Sequence, residues 1–188
     1  CTPDDSYHGL TYAKKFGKMG YITKLVAQLM RDLGSIPAPM NSFILTLGLQ
    51  SLHLRMKQHC ANAQQVAEFL QAEHRVAWVH FSGLPGDLYH ELAEKYLPNG
   101  SCGVIAFGLK GDRDTDIRFL DSLDMINIVT HVADARTCVL HPASHTHRQL
   151  SDEQLREAGV APDLIRLSVG IEDVEDILDD IRQALDKI

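Results

Sequence analysis

The sequence predicts an α/β fold, a small sheet with helices packed on it, preceded by an arm and a long helix. Three observations carry this prediction. An apolar stripe from Leu45 through Leu52 and Ala63 to Leu70 steps by three or four residues at every repeat, as one face of a helix does. Beyond it, short apolar or alternating runs at 76–81, 103–109, 126–132 and 164–169 read as strands. Helical patterns at 88–96, 115–123 and 152–158 separate those strands, which is the order expected of helices laid on a sheet.

Taken from the start, residues 1–20 hold Pro3, Gly9, Gly17 and Gly20 among aromatics and read as an irregular arm. A helix follows over 22–33 and stops at Gly34. IPAPMNS then offers two prolines and a capping Asn41 or Ser42 before the long stripe. The spacing divides the chain into residues 1–36, an arm and helix, and residues 37–188, an α/β domain. The last helix, 174–188, carries Val174, Ile177, Leu178, Ile181, Leu185 and Ile188 on one face. An acidic cluster over 172–176 suits its N-terminus.

Composition narrows the function classes. The chain has 188 residues, 45% hydrophobic and 23% charged, with a net charge of −7. That balance argues against a nucleic-acid surface, which needs clustered Lys and Arg. No apolar run approaches the roughly 18 residues of a membrane span, and no secretory signal opens the chain. Cys1, Cys60, Cys102 and Cys138 are widely spaced and suggest neither a disulfide framework nor a thiolate metal site, so a cytoplasmic home is expected. The chain opens CTPDDSYHG without an initiator Met, and the N-terminus is read as an internal cut.

Two segments hold candidate chemistry. In LIRLSVGIED, residues 164–173, Ile165, Leu167 and Val169 share one face of a strand and Arg166 and Ser168 the other. An arginine on a strand that packs on a core requires an anionic partner, either a neighbouring acid such as Asp163 or Glu172 or an anionic ligand. HPASHTH, residues 141–147, crowds three histidines with His131 ten residues before them. The cluster reads as a hydrogen-bonded loop rather than a zinc site, because Pro142 opposes a helix and no carboxylate or cysteine lies within it. No metal ligand set is assigned.

YHGLTYAKKFG, MRDLG, LGLQSLHLRMKQHCANAQQVAEFL, SGLPGD, HPASHTHRQLS and DLIRLSVGIEDVEDI together resemble the C-terminal part of the Cys/Met-metabolism family of pyridoxal-phosphate (PLP) enzymes, over essentially the whole chain. The arm and its spacing to MRDLG are most similar to the O-acetylhomoserine sulfhydrylase (homocysteine synthase) branch. Cystathionine γ-synthases and methionine γ-lyases share the later motifs but not that arm, and stay as alternatives.

The resemblance implies the C-terminal domain of a fold type I enzyme, with a small, mainly antiparallel sheet. It implies a PLP-dependent transferase that replaces acetate on Cγ of its amino-acid substrate with a sulfur nucleophile. The cofactor-bearing lysine of the family sits in a Ser-x-Thr-Lys-like segment, and no lysine here has that context. The PLP-binding N-terminal domain would then lie upstream, and the chain by itself would be inactive. A homo-oligomer, a tetramer in the whole enzyme, is also implied. By the same resemblance Arg166 would bind the substrate α-carboxylate, and Thr130 and His131, in IVTHVADA, would lie near the substrate. His131 departs from the Ser or Asn of relatives, and Val132-Ala133 stand where they have x-Gly. The residues themselves leave His131 open between a substrate contact and a structural role. A freestanding interaction domain with a vestigial site is the reading from a different class.

Overall fold

A computed structural model describes residues 1–188. They form two compact units, Cys1–Gln50 and Ser51–Ile188. In the first, Asp4 caps a single 3-10 turn at Asp5–Tyr7 by accepting from Ser6 N at 3.1 Å, and its carboxylate pairs with Lys24 Nζ at 2.7 Å. The expected irregular arm is more helical than its glycines suggest. Helix α1 (Tyr12–Phe16) and a 3-10 turn at Gly17–Met19 lead into α2 (Gly20–Lys24), a π-helical stretch Leu25–Met30 and α3 (Arg31–Leu33). Gly20 permits this, because an added Cβ would meet the Tyr12 carbonyl at 2.9 Å. Inside the unit, Tyr12 donates to Gln28 Oε1 at 3.1 Å and Gln28 donates to Ser6 Oγ at 2.6 Å. Gly34 ends the run in the left-handed region at φ 66°, as a C-terminal glycine does.

Helix α4 (Pro39–Gln50) buries none of its residues and leaves Met40, Phe43, Ile44, Leu45, Leu47 and Leu49 exposed. An apolar helix of this kind marks a contact surface. The single long helix expected from the stripe is therefore two. It breaks at Ser51 (φ −103°, ψ 1°), where the Ser51 carbonyl accepts from both Leu54 N and Arg55 N and starts α5 (Leu52–Ala72). Gly48, three residues earlier, weakens the helix locally, so the break comes cheaply.

The second unit is built on a five-stranded sheet of β1 (Val76–His80), β2 (Val104–Leu109), β3 (Asn127–Ile128), β4 (Cys138–Leu140) and β5 (Ile165–Ser168), in the order β1-β2-β5-β4-β3. All neighbours are antiparallel except β3 and β4. Strand β5 is central, with Arg166 opposite Ala106 of β2 and Leu140 of β4. Between the strands lie α6 (His90–Tyr96), α7 (Arg113–Asp121) and α8 (Asp152–Glu157), and α9 (Val174–Leu185) closes the chain. Val66 and Leu70 of α5, Phe107 and Ile165 of the sheet, Phe119 of α7 and Ile177 and Ile181 of α9 meet in one core. Phe107 and Phe119 touch edge to face at 6.1 Å. Each such side chain contributes about 1.5–3 kcal/mol by leaving water.

The expected strand over 126–132 shortens to Asn127–Ile128. Val129 N still donates to the Val139 carbonyl of β4 at 3.1 Å, and past it Thr130 and Ala133 are held by side chains of β5, as the site below shows. Strand β4 was not expected. Its three residues are all buried, so they show no alternation, and they are too few for a periodic signal.

Helix α9 also anchors the approach to β3. Asp180, on its buried side, accepts from the backbone N–H groups of Asp124, Met125 and Ile126 at 2.8, 3.0 and 2.8 Å, and from Gln183 Nε2 at 2.9 Å. One carboxylate thus satisfies a whole turn of backbone that has no ladder partner.

Candidate functional site

The site grows from the central strand. Ile165 and Leu167 point into the core, and the pleat sends Arg166 and Ser168 to the opposite face. The segment 129–136 lies over that face. Arg166 Nη2 donates to the Thr130 carbonyl at 3.0 Å, and Ala133 N donates to Ser168 Oγ at 3.0 Å. Ala133 takes φ 60°, a conformation that costs a residue with a Cβ roughly 1–2 kcal/mol and costs glycine nothing. Alanine at this position therefore stores backbone strain beside Arg166.

Arg166 makes no ion pair. Asp163 spends Oδ2 on Trp78 Nε1 at 2.7 Å, and Glu172 accepts from Thr137 N at 2.6 Å and Thr137 Oγ1 at 2.9 Å. Neither of the acids near Arg166 in sequence is its partner. Its Nε is buried and has no hydrogen-bond acceptor. Arg166 as a whole is half-buried, with Nη2 at the exposed Thr130 carbonyl, so its fork combines a reachable edge with a buried donor and is suited to an anion.

A second layer holds this strand end. From α5, His59 Nδ1–H donates to Val169 O at 2.7 Å, and Asn62 Nδ2 donates to Gly170 O at 3.1 Å and Glu172 O at 2.8 Å. Gly170 N donates to Thr137 Oγ1 at 2.9 Å. Gly170 must be glycine, since a Cβ there would strike the Ala135 carbonyl at 2.5 Å. Sequence reasoning missed His59, Asn62 and Thr137, and it set Glu172 against Arg166 rather than Thr137. They lie 33 to 110 residues from their partners, a separation that no local pattern encodes.

Thr130 and His131 both lie on the segment 129–136. Thr130 contributes its carbonyl. His131 is exposed, with Nδ1 3.6 Å from Asp134 Oδ2. The histidines of HPASHTH lie in a chain of turns after β4. His141 is fully buried; its Nε2–H donates to Pro162 O at 3.0 Å and its Nδ1 accepts from Ser144 Oγ at 2.9 Å. His145 donates to the His141 carbonyl at 3.0 Å. No three His, Cys, Asp or Glu side chains converge as a metal site would require, and no helix is long and apolar enough to cross a membrane.

Asp116, on the buried side of α7, is the most perturbed acid. Burial, then the nearby charges of Asp163 and Asp112, push its carboxyl up to about 7. The folded chain holds that proton more tightly than the unfolded chain, so stability is lost as pH rises from the ordinary carboxylate range through about 7. Asp116→Asn should stabilise the fold by on the order of 3 kcal/mol at about pH 8 and change little at about pH 4. Denaturant titrations at the two pH values check this; an equal effect at both would refute the assignment.

The sequence model of the "Cys/Met metabolism PLP-dependent enzyme" family matches residues 6–186. The chain belongs to that family. Among Cys/Met-metabolism PLP-dependent enzymes, it is similar to O-acetyl-L-homoserine sulfhydrylase 1 of Thermus thermophilus, 39% identical over 97% of this chain and 44% of the relative. Homocysteine synthase of Schizosaccharomyces pombe is 41% identical over 98% of this chain and 43% of the relative. A solved structure from Campylobacter jejuni, named as a candidate O-acetylhomoserine (thiol)-lyase and described with a pyridoxyl-lysine phosphate, superimposes with a TM-score of 0.85. It is 35% identical, over 98% of this chain and 44% of its own. The chain thus spans somewhat under half the length of these family members. The mainly antiparallel sheet with its covering helices is the family's architecture over that part.

Proposed function

We propose that this chain is the C-terminal part of a PLP-dependent O-acetylhomoserine sulfhydrylase, which replaces acetate on Cγ with a sulfur nucleophile to form homocysteine. One observation carries the reading: Arg166, on the central strand, offers a buried donor that no acid of the chain meets. The names of the relatives, sulfhydrylase and homocysteine synthase at 39% and 41% identity, support the reaction class.

In this reading the Arg166 fork takes the α-carboxylate of the amino-acid substrate, a planar anion that matches two parallel N–H groups. The Thr130 carbonyl fixes one end of the fork, and His59, Asn62 and Thr137 fix the strand that carries it. Thr130 and His131 form the rim beside the substrate, with Asp134 orienting the His131 ring. PLP, when bound, supplies the electron sink that makes the amino acid's Cα and Cβ protons removable.

The chain's residues fit the substrate's carboxylate and do not fit the cofactor. Lys24 is paired with Asp4, Lys110 donates to His74 O and Lys187 to Ser122 O, and no lysine has the family's Ser-x-Thr-Lys-like context. The cofactor is held by an N-terminal domain of the longer protein, for which the exposed apolar residues of α4 and of 22–33 are a suitable contact surface. A cytoplasmic homo-oligomer, a tetramer, completes the proposal.

Two measurements test it. The longer protein, given O-acetylhomoserine and sulfide, should release homocysteine and acetate in equal amounts; faster turnover with cysteine to cystathionine would move it to the γ-synthases. The 188-residue chain, mixed with PLP and reduced with borohydride, should carry no stoichiometric label on any single lysine. One fully labelled lysine would overturn the assignment of the cofactor to another domain.

A further inference from the structure

A second polar cleft lies apart from Arg166. Helices α7 and α8 and the segment 161–163 enclose a cleft of about 720 Å³ lined by Asp112, Arg113, Asp116, Asp152, Arg156 and Asp163. Most of these charges are already spent. Asp112 caps α7 by accepting from Thr115 N and Thr115 Oγ1, and Arg113 pairs with Asp152 across the cleft. Asp163 uses only Oδ2, on Trp78.

Two groups are left over. The Asp116 side chain is 4% exposed and makes no hydrogen bond. His141 Nε2 lies 3.7 Å away and directs its hydrogen to the Pro162 carbonyl at 3.0 Å instead. Burial also lowers the His141 pKa, which keeps the ring neutral and removes it as a counter-ion. Arg156, exposed at the other side of the cleft, forms no ion pair or side-chain hydrogen bond. A buried carboxyl facing a cleft without a partner is costly unless something cationic meets it. The unspent Asp163 oxygen lies on the same cleft, and Arg156, exposed and unpaired, is free to take an anion there.

We propose that this cleft binds a small zwitterion of the amino-acid class, its ammonium at Asp116 and Asp163 and its carboxylate at Arg156. Such a molecule engages the buried carboxyl and the unpaired guanidinium at once, where a simple amine or a simple carboxylate engages one. The site is separate from Arg166 and does not rest on the proposed sulfhydrylase activity. Its affinity follows the ionisation of Asp116. With Asp112, Asp163, Arg113, Asp152, Arg156 and neutral His141 as the groups around it, binding strengthens as pH rises through about 7.

The test is a heteronuclear NMR titration of the 188-residue chain with glycine, β-alanine and 4-aminobutyrate, whose ammonium and carboxylate differ in separation. Propylamine and propionate serve as one-ended controls. At least one zwitterion should saturate shifts of the α7 and α8 amides with a Kd of about a millimolar to tens of millimolar, and the controls should bind about tenfold more weakly. Asp116→Asn and Arg156→Gln should each weaken binding about fivefold or more. Arg156→Gln alters an exposed side chain, so it reports on binding independently of the stability change expected for Asp116→Asn. No saturation by any zwitterion up to about 100 mM, equal binding by propylamine, or indifference to Arg156→Gln would each overturn the proposal.

Discussion

Arg166→Ala in the longer enzyme should cut kcat/KM for the amino-acid substrate roughly 100- to 10,000-fold. The estimate follows from two charge-assisted bonds of about 1.5–3 kcal/mol each, at about 1.4 kcal/mol per factor of ten. Arg166→Lys keeps the charge but not the planar fork, and should recover part of the loss. The deficit should shrink for a substrate analogue whose carboxylate is an amide, because that analogue never made the full interaction. PLP affinity should change little, since the cofactor is held elsewhere in the proposed enzyme. Steady-state kinetics of the three proteins with both substrates measure all of this. Kinetics near wild type together with a lowered Tm would make Arg166 a structural residue, held by Thr130 alone.

Asp180→Ala should unfold the chain more readily than any other single change in the second unit outside its apolar core. The substitution strands the N–H groups of Asp124, Met125 and Ile126, all of which now end on one carboxylate. Partial rescue by water leaves a cost of about 3–5 kcal/mol. For a chain of this size that corresponds to a Tm lowered by roughly 10 °C. Asp180→Asn retains one accepting oxygen and should fall between the two. Calorimetry of wild type and both variants checks the order, and equal Tm values would show that water replaces the carboxylate without loss. Because β3 follows this turn and segment 129–136 follows β3, the loss should also loosen the cover over Arg166. Hydrogen exchange at Thr130 and Ala133 would report it.

Strand β5, α9 and the stop at Gly34 were legible because each depends on short-range rules. Alternation sets Ile165 and Leu167 against Arg166 and Ser168, a 3.6-residue period places Ile177 and Ile181 together, and glycine tolerates the left-handed turn. The apolar stripe from Leu45 to Leu70 was legible as helix, but the break at Ser51 was not, since either side of it satisfies the same period. The singular position of Arg166 could be read as well, because its charge conflicts with the apolar pattern around it.

The partners of Arg166 belonged to tertiary structure alone. Asp163 and Glu172 are neighbours in sequence, yet Trp78 and Thr137 claim them, from 85 and 35 residues away. The same holds for the clamp from His59 and Asn62, for β4, and for Asp116, whose burial comes from packing of α7 against the His141 turn. Local periodicity depends on backbone geometry that every short segment carries with it. Which charge meets which, and how dry the meeting place is, depends on the competition among all donors and acceptors that folding brings together.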